Sequence, residues 1–206
     1  MTDKVIVLAT RNEGKLRELA AILADTEVTL AGLGEFPGAP DVPETGATFE
    51  ENALIKARAI AAHTRLPAVA DDSGLCVDAL NGMPGVLSAR WAGRHGDDKA
   101  NLDLVLAQIS DVPDSRRGAH FACAAALAVP VVPAVPGQRI EIFIEHVATG
   151  RLTGRLIREP RGSGGFGYDP IFLPDGYDVT TAEMSAEEKN AISHRGKAFR
   201  ALFPGG

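Results

Sequence analysis

Two adjacent carboxylates, Asp71 and Asp72, follow the apolar residues 68–70 and precede Ser73-Gly74. Placed at the end of a buried strand, such a pair repels itself unless a cation or a hydrogen-bond donor compensates. A hard divalent cation takes oxygen ligands, and Mg²⁺ commonly binds one or two carboxylates together with substrate phosphates. Successive strand side chains face opposite sides, so one of the pair is expected to point into a site. Glu44, in the loop Pro43-Glu44-Thr45-Gly46, is a possible second ligand. The plainer alternative is a turn whose aspartates cap nearby N–H groups.

Three further groups carry chemistry of a matching kind. Thr10-Arg11-Asn12-Glu13-Gly14-Lys15 lies between a strand-like run and a helical pattern. A helix start there offers unpaired N–H groups that attract phosphate, with Lys15 adding a full charge. It is not a Walker A loop, because the first glycine is missing and no Ser or Thr follows Lys15. In Gly164-Gly165-Phe166-Gly167-Tyr168-Asp169-Pro170, glycines flank aromatics, so Phe166 or Tyr168 can stack on a base while Asp169 accepts hydrogen bonds. Lys189 and Ser193-His194-Arg195-Gly196 supply cations for a phosphate or donors for a purine oxygen. Taken singly, each group also reads as an ordinary capped helix, a glycine-rich turn or a basic surface helix.

The elements that must hold these residues follow from hydrophobic spacing. Residues 5–9 are an apolar run suited to a strand covered on both faces. Leu16, Leu19, Ala20 and Leu23 have helical spacing, which predicts a helix over 15–23 behind the first loop. Residues 32–46 are rich in Gly and Pro and read as a loop, with room for a short edge strand. Thr48 and Glu51 form a capping-box pattern opening a helix to about His63, with Phe49, Ala53, Ala57 and Ile60 inward. Asn52 and Lys56 lie one turn apart on another stripe. Residues 68–70 predict a short strand, 97–109 a helix, and 119–129 and 140–145 two more strands joined by a Pro-rich link at 131–137. Ser185 and Glu188 repeat the capping-box pattern, and Gly196 is expected to kink or split the helical stretch that follows.

The chain has 206 residues, 45% hydrophobic and 23% charged, which suits one globular domain over 1–206. The formal net charge of −6 argues against nucleic acid or an anionic membrane as partner. Cys76 and Cys123 sit in apolar runs and read as buried thiols of a reducing compartment. No apolar stretch reaches membrane-spanning length, and no signal peptide opens the chain, so the cytoplasm is expected.

With these residues in view, the chain resembles the inosine triphosphate pyrophosphatase family, also called XTP/dITP diphosphatases. The likeness covers nearly the whole chain. It rests on Thr10-x-Asn12-x-x-Lys15, Thr48-Phe49-Glu50-Glu51-Asn52-Ala53, Ala70-Asp71-Asp72-Ser73-Gly74-Leu75, Pro84-Gly85-Val86-x-Ser88-Ala89-Arg90, Gly165-Phe166-Gly167-Tyr168-Asp169-Pro170 and Ser193-His194-Arg195-Gly196. The resemblance implies an elongated α/β fold: a long mixed β-sheet with surrounding helices and two lobes flanking a nucleotide cleft. It implies a homodimer that uses Mg²⁺ to split ITP, dITP and XTP into monophosphate and pyrophosphate, clearing deaminated purines from the nucleotide pool. Asp72 would be the metal-linked acid and general base, Glu44 the second metal-linked acid, and Ser73 a nucleotide contact. Thr10, Asn12, Gly14 and Lys15 would hold the triphosphate. Phe166, Gly167, Tyr168 and Asp169, with Lys189, His194 and Arg195, would form the base and nucleoside pocket. The 131–137 link is longer than the resemblance implies. Two rival readings stay open: a pyrophosphatase for other triphosphates, and a nucleotide-binding regulator without catalysis.

Overall fold

The structure is a computed structural model that describes residues 4–11, 13–22, 28–131 and 138–204. Its strands are β1 (Lys4–Leu8), β2 (Val28–Gly32), β3 (Ala68–Val77), β4 (Gly118–Pro130), β5 (Phe143–Leu156) and β6 (Phe172–Pro174). Its helices are α1 (Glu13–Ile22), α2 (Phe49–Thr64), α3 (Asp98–Gln108), α4 (Ala186–Ile192) and α5 (His194–Leu202). Among the described residues the strands form one sheet in the order β2-β1-β3-β4-β5-β6. It is mixed: β1 runs parallel to β2 and β3, whereas β5 and β6 are antiparallel. The class is therefore the α/β fold with a mixed sheet that the resemblance implies.

Two compact units share this sheet. The first comprises Met1–Asp72, Ala124–Gly150 and Arg195–Gly206, and the second Ser73–Cys123 and Arg151–His194. No linker separates them in sequence, because β3, β4 and β5 each contribute residues to both.

In the first unit, α2 lays Ala53, Ala57, Ile60 and Ala61 against Val7, Ala68, Ala70 and the alanines of β4. Small side chains at these positions let the helix lie close to the sheet. Thr48 caps α2 by accepting from the Glu51 N–H at 3.1 Å. Glu51 turns its carboxylate to the Ala47 N–H instead of the cap's own, so the predicted reciprocal box is only half formed. Arg65, in the left-handed conformation with φ 59°, ends the helix one residue beyond the expected point.

In the second unit, α3 turns Leu102, Val105 and Ile109 onto a core of Leu75, Val77, Phe121, Leu152, Ile171 and Phe172. Burying each such large apolar side chain contributes about 1.5–3 kcal/mol. Arg117, 2% exposed, lies at the edge of this core. Its guanidinium donates to the carbonyls of Ile109, Leu156 and Ile157 at 2.7–3.1 Å, tying the end of α3 to the end of β5. Arg117→Ala leaves three carbonyls short of a donor and a hole in the packing. A loss of about 3 kcal/mol is expected, read as a thermal midpoint lower by about 6–12 °C.

Four expectations are corrected. β3 does not stop at Ala70 but runs ten residues to Val77, carrying Asp71 and Asp72 within the strand. Bonded partners for both carboxylates, described below, make that tolerable. β5 extends through Leu156, because its one-sided alternation continues past the run at 140–145. The edge strand β2 lies before the Gly/Pro-rich segment, which instead contains a short 3₁₀ turn at Leu33–Glu35. The C-terminal stretch breaks at Ser193, not Gly196. Ser193 is buried and extended (φ −61°, ψ 148°), while Gly196 lies inside α5. The Ser185 capping box forms as expected. Of the Pro-rich link, residues 132–137 lie outside the described residues.

Candidate active site

In the first unit, β3 and α2 bring together the carboxylates of Asp72 and Glu44. Asp72, 6% exposed, accepts from Asn52 Nδ2 at 3.0 Å and from Lys56 Nζ at 3.2 Å. The same ammonium donates to Glu44 Oε1 at 2.8 Å, so both acids converge on one cation. Asn52 and Lys56 can act together because residues four apart share a helix face. Asn52 also accepts from the Gly46 N–H at 2.7 Å, which fastens the loop that carries Glu44. The spacing of this pair was visible in the sequence; a role was not. Their signal was polarity off the apolar stripe of a buried helix.

Asp71 has separate partners. Its Oδ2 accepts from Lys15 Nζ at 3.0 Å and from Arg195 Nε at 3.2 Å. Arg195 is 2% exposed and also donates to Glu18, which stands one turn from Lys15 on α1. Arg195, which the resemblance assigns to the base and nucleoside pocket, is bound here to the carboxylates of Asp71 and Glu18 in the first unit. α1 starts two residues earlier than predicted, which puts Gly14 and Lys15 in its first turn. Thr10 is half-buried just after β1, and Ser73 is half-buried on β3. Asn12 lies outside the described residues.

The electrostatics of the two acids differ. Burial disfavours the Asp71 anion, but Lys15, Arg195 and Lys56 outweigh it and hold the carboxyl well below its ordinary range. For Asp72, burial raises the pKa, Lys56 opposes it, and the neighbouring Glu44 charge adds to the rise. The Asn52 hydrogen bond and Lys15 offset only part, so the net direction is upward. Asp71 is a settled anion, and Asp72 is the one short of positive charge.

Among the described residues no group of three or more His, Cys, Asp and Glu could by itself hold a metal ion. The Asp72 and Glu44 pair nevertheless fits Mg²⁺ by donor chemistry. It provides hard oxygens that already converge on one cation, in the number Mg²⁺ takes from protein when phosphates and water complete its shell.

The second unit holds the aromatic loop. Phe166 is 41% exposed, and Lys189 Nζ lies 5.0 Å from its ring centre, a cation–π distance. Tyr168, the other predicted stacking ring, is instead a core side chain. It is 5% exposed and its hydroxyl donates to the Ser88 carbonyl at 2.8 Å. Asp169 is 3% exposed and is the knot of the loop. It accepts from the Phe166 N–H at 2.8 Å, from Lys189 at 2.6 Å and from Thr181 Oγ1 at 2.8 Å. Gly165 is required there. Its φ is +72°, and a Cβ would lie 2.1 Å from Asp169 Oδ2. His194 is buried with its ring stacked on Phe121 at 5.0 Å. Cys76 and Cys123 are both buried thiols outside any disulfide among the described residues.

A separate cavity of about 450 Å³ has Arg155, Arg158 and Arg161 in its wall. None of the residues singled out in the sequence lines it, and it has no aromatic ring on which a base can stack.

Comparison with known proteins gives a consistent picture. The Ham1 family matches residues 6–204. A Streptomyces coelicolor protein described as a dITP/XTP pyrophosphatase is 63% identical over 201 residues, covering 97% of this chain and 95% of that one. The crystal structure of the nucleoside-triphosphatase, or dITP/XTP pyrophosphatase, of Mycobacterium abscessus is 55% identical. That match covers 98% of this chain and 100% of that one, with a TM-score of 0.74. The Staphylococcus aureus Ham1 protein is 38% identical, with coverage of 97% and 96% and a TM-score of 0.81.

Proposed function

The chain belongs to the Ham1 family, and on that premise we propose how its residues perform one reaction. It hydrolyses purine nucleoside triphosphates with a deaminated base (ITP, dITP, XTP) to the monophosphate and pyrophosphate, removing them from the nucleotide pool. The substrate class rests on relatives described by that activity and alike over nearly the whole chain. The chemistry is carried by one observation: Asp72 and Glu44 converge on Lys56, with Asp72 held by Asn52.

In this reading Asp72 orients the attacking water and takes its proton. Burial and the Glu44 charge raise its basicity toward that of a useful base. Asn52 and Lys56 fix the carboxylate so that its remaining lone pairs face one way. Lys15, in the first turn of α1, sets a cation and helix N–H groups for phosphate oxygens. Mg²⁺ held by Asp72 and Glu44 would neutralise charge on the triphosphate, whose cleavage depends mainly on positioning and electrostatics. The water oxygen bonds to the α phosphorus as the bond from that phosphorus to the α–β bridging oxygen breaks, leaving the monophosphate and releasing pyrophosphate.

For the base, Phe166 offers the stacking surface. Lys189, held by Asp169, offers a donor suited to the oxygen at purine C6, which adenine lacks. We take the enzyme to act in the cytoplasm as a homodimer on dissolved nucleotides, without nucleic-acid or membrane partners. The net charge of −6 and the family resemblance support that reading, and no described helix is long and apolar enough to cross a membrane.

Pyrophosphate release from ITP, dITP, XTP, GTP, ATP and dTTP, with Mg²⁺ and with chelator, is the test. Magnesium-dependent cleavage of the first three, with little of the others, is expected. Equal cleavage of all would keep the chemistry and remove the pool-cleaning role. Release that persists in chelator would remove the metal, and none from any would leave a nucleotide-binding regulator.

A further inference from the structure

We propose that Asp98, at the first position of α3, is a positioning residue that sets the attitude of the Phe166 ring for the purine base. The inference rests on the reading of Phe166 as the stacking surface.

Asp98 Oδ2 accepts from the Gly167 N–H at 2.8 Å, across 69 residues of sequence. The helix does not need this carboxylate as its cap. Asp97 does that, accepting from the Ala100 N–H at 3.2 Å. The carboxylate of Asp98 is therefore available to reach out of the helix to the aromatic loop.

Its partner is the peptide that follows the exposed ring. In a planar trans peptide the N–H and C=O point in opposite directions. Here the Gly167 N–H goes to Asp98, and the Phe166 carbonyl at the other end accepts from the Asp169 N–H at 3.3 Å. Both ends of the unit are fixed, and its orientation with them. The loop needs such restraint. Gly165 and Gly167 both have positive φ (+72° and +61°), and glycine backbone is otherwise free to turn. On the near side of the ring, Asp169 accepts from the Phe166 N–H; beyond Gly167, Tyr168 is anchored at the Ser88 carbonyl. Asp98 supplies a side-chain restraint on the backbone between those two anchors. It is exposed, so its contact with the loop is decided by geometry rather than by a buried core.

Restraint placed here acts on substrate capture. The base stacks in the ground state as well as in the transition state, so loosening the ring should raise KM and leave kcat nearly unchanged. A carboxylate bound to a backbone N–H is a charge-assisted bond. Its loss should raise KM for XTP by about fivefold to twentyfold.

The experiment pairs steady-state kinetics with amide hydrogen exchange of residues 164–169. Asp98→Ala is expected to raise KM for dITP and XTP, to keep kcat within about twofold, and to speed exchange of the loop. Asp98→Asn, whose amide oxygen still accepts from Gly167, should restore both readouts. Asp103→Ala, on the same helix and paired with Lys99, should change neither. An unchanged KM in Asp98→Ala, or an Asn variant as impaired as Ala, would overturn the proposal. So would a fall in kcat together with thermal stability, which marks a merely structural role. A wild-type protein that releases no pyrophosphate from dITP or XTP would overturn the substrate reading instead, and exchange in the loop would still report on the Asp98 contact.

Discussion

Asp72→Asn is expected to lower kcat for dITP and XTP by about 10³-fold or more, with the fold intact. Loss of a general base alone costs about 10²–10⁴, and the same carboxylate is one of the two acids that would hold Mg²⁺. The fold should survive because the change removes a charge whose burial is unfavourable, as the upward pKa shift of Asp72 records. The Asn oxygen can still accept from Asn52 or Lys56, and Lys56 keeps Glu44 as its counter-ion. Pyrophosphate release and a thermal melt, measured on the same preparation, separate the two effects. Activity above about a tenth of wild type would remove Asp72 from the mechanism.

The second large effect is on stability. Arg195→Met should destabilise the protein by about 3–5 kcal/mol, because removing one member of a buried ion network leaves its partners uncompensated. Asp71, 1% exposed at its side chain, would lose one of the cations that neutralise it, and Glu18 would lose the guanidinium that binds it. Glu18 has little in reserve: its Oε1 is buried with no hydrogen-bond partner among the described residues. For a chain of this size the loss corresponds to a thermal midpoint lower by about 6–20 °C. Glu18→Gln in the Arg195→Met background removes one stranded charge and should recover about 1 kcal/mol or more. A midpoint within about 2 °C of wild type for the single variant would show that the network carries no net stability.

The residue types of the proposed site were named from the sequence; the hydrogen-bond partners of those residues were not. Asp72, in an acid pair after an apolar run, stands out by residue type and local spacing; Phe166 among glycines, Lys15, Lys189 and Glu44 each have an ordinary reading, and only their combination in one chain points to a site. Arg195 and Tyr168 were named as readily, but the sequence did not show the partners they have in the structure, Asp71 and the Ser88 carbonyl. Arg195 follows His194 in sequence, yet the break at Ser193 starts a new helix whose first residues serve different units. Tyr168 sits two residues from Phe166, yet a hydroxyl partner at Ser88 takes it into the core.

Chain-local signals were enough for the α/β class, the capped helices, the apolar strands and the residue types of the site. Hydrophobic period and capping chemistry act over a few residues, so they can be read without knowing the fold. The tertiary structure alone decided that Asp71 is neutralised by Lys15 and Arg195 while Asp72 faces Lys56 and Glu44. It also decided that a helix 69 residues away holds the Gly167 N–H. Those choices depend on which side chains meet across the sheet, and the energy of a buried charge is set by the partner it meets, not by its place in the chain.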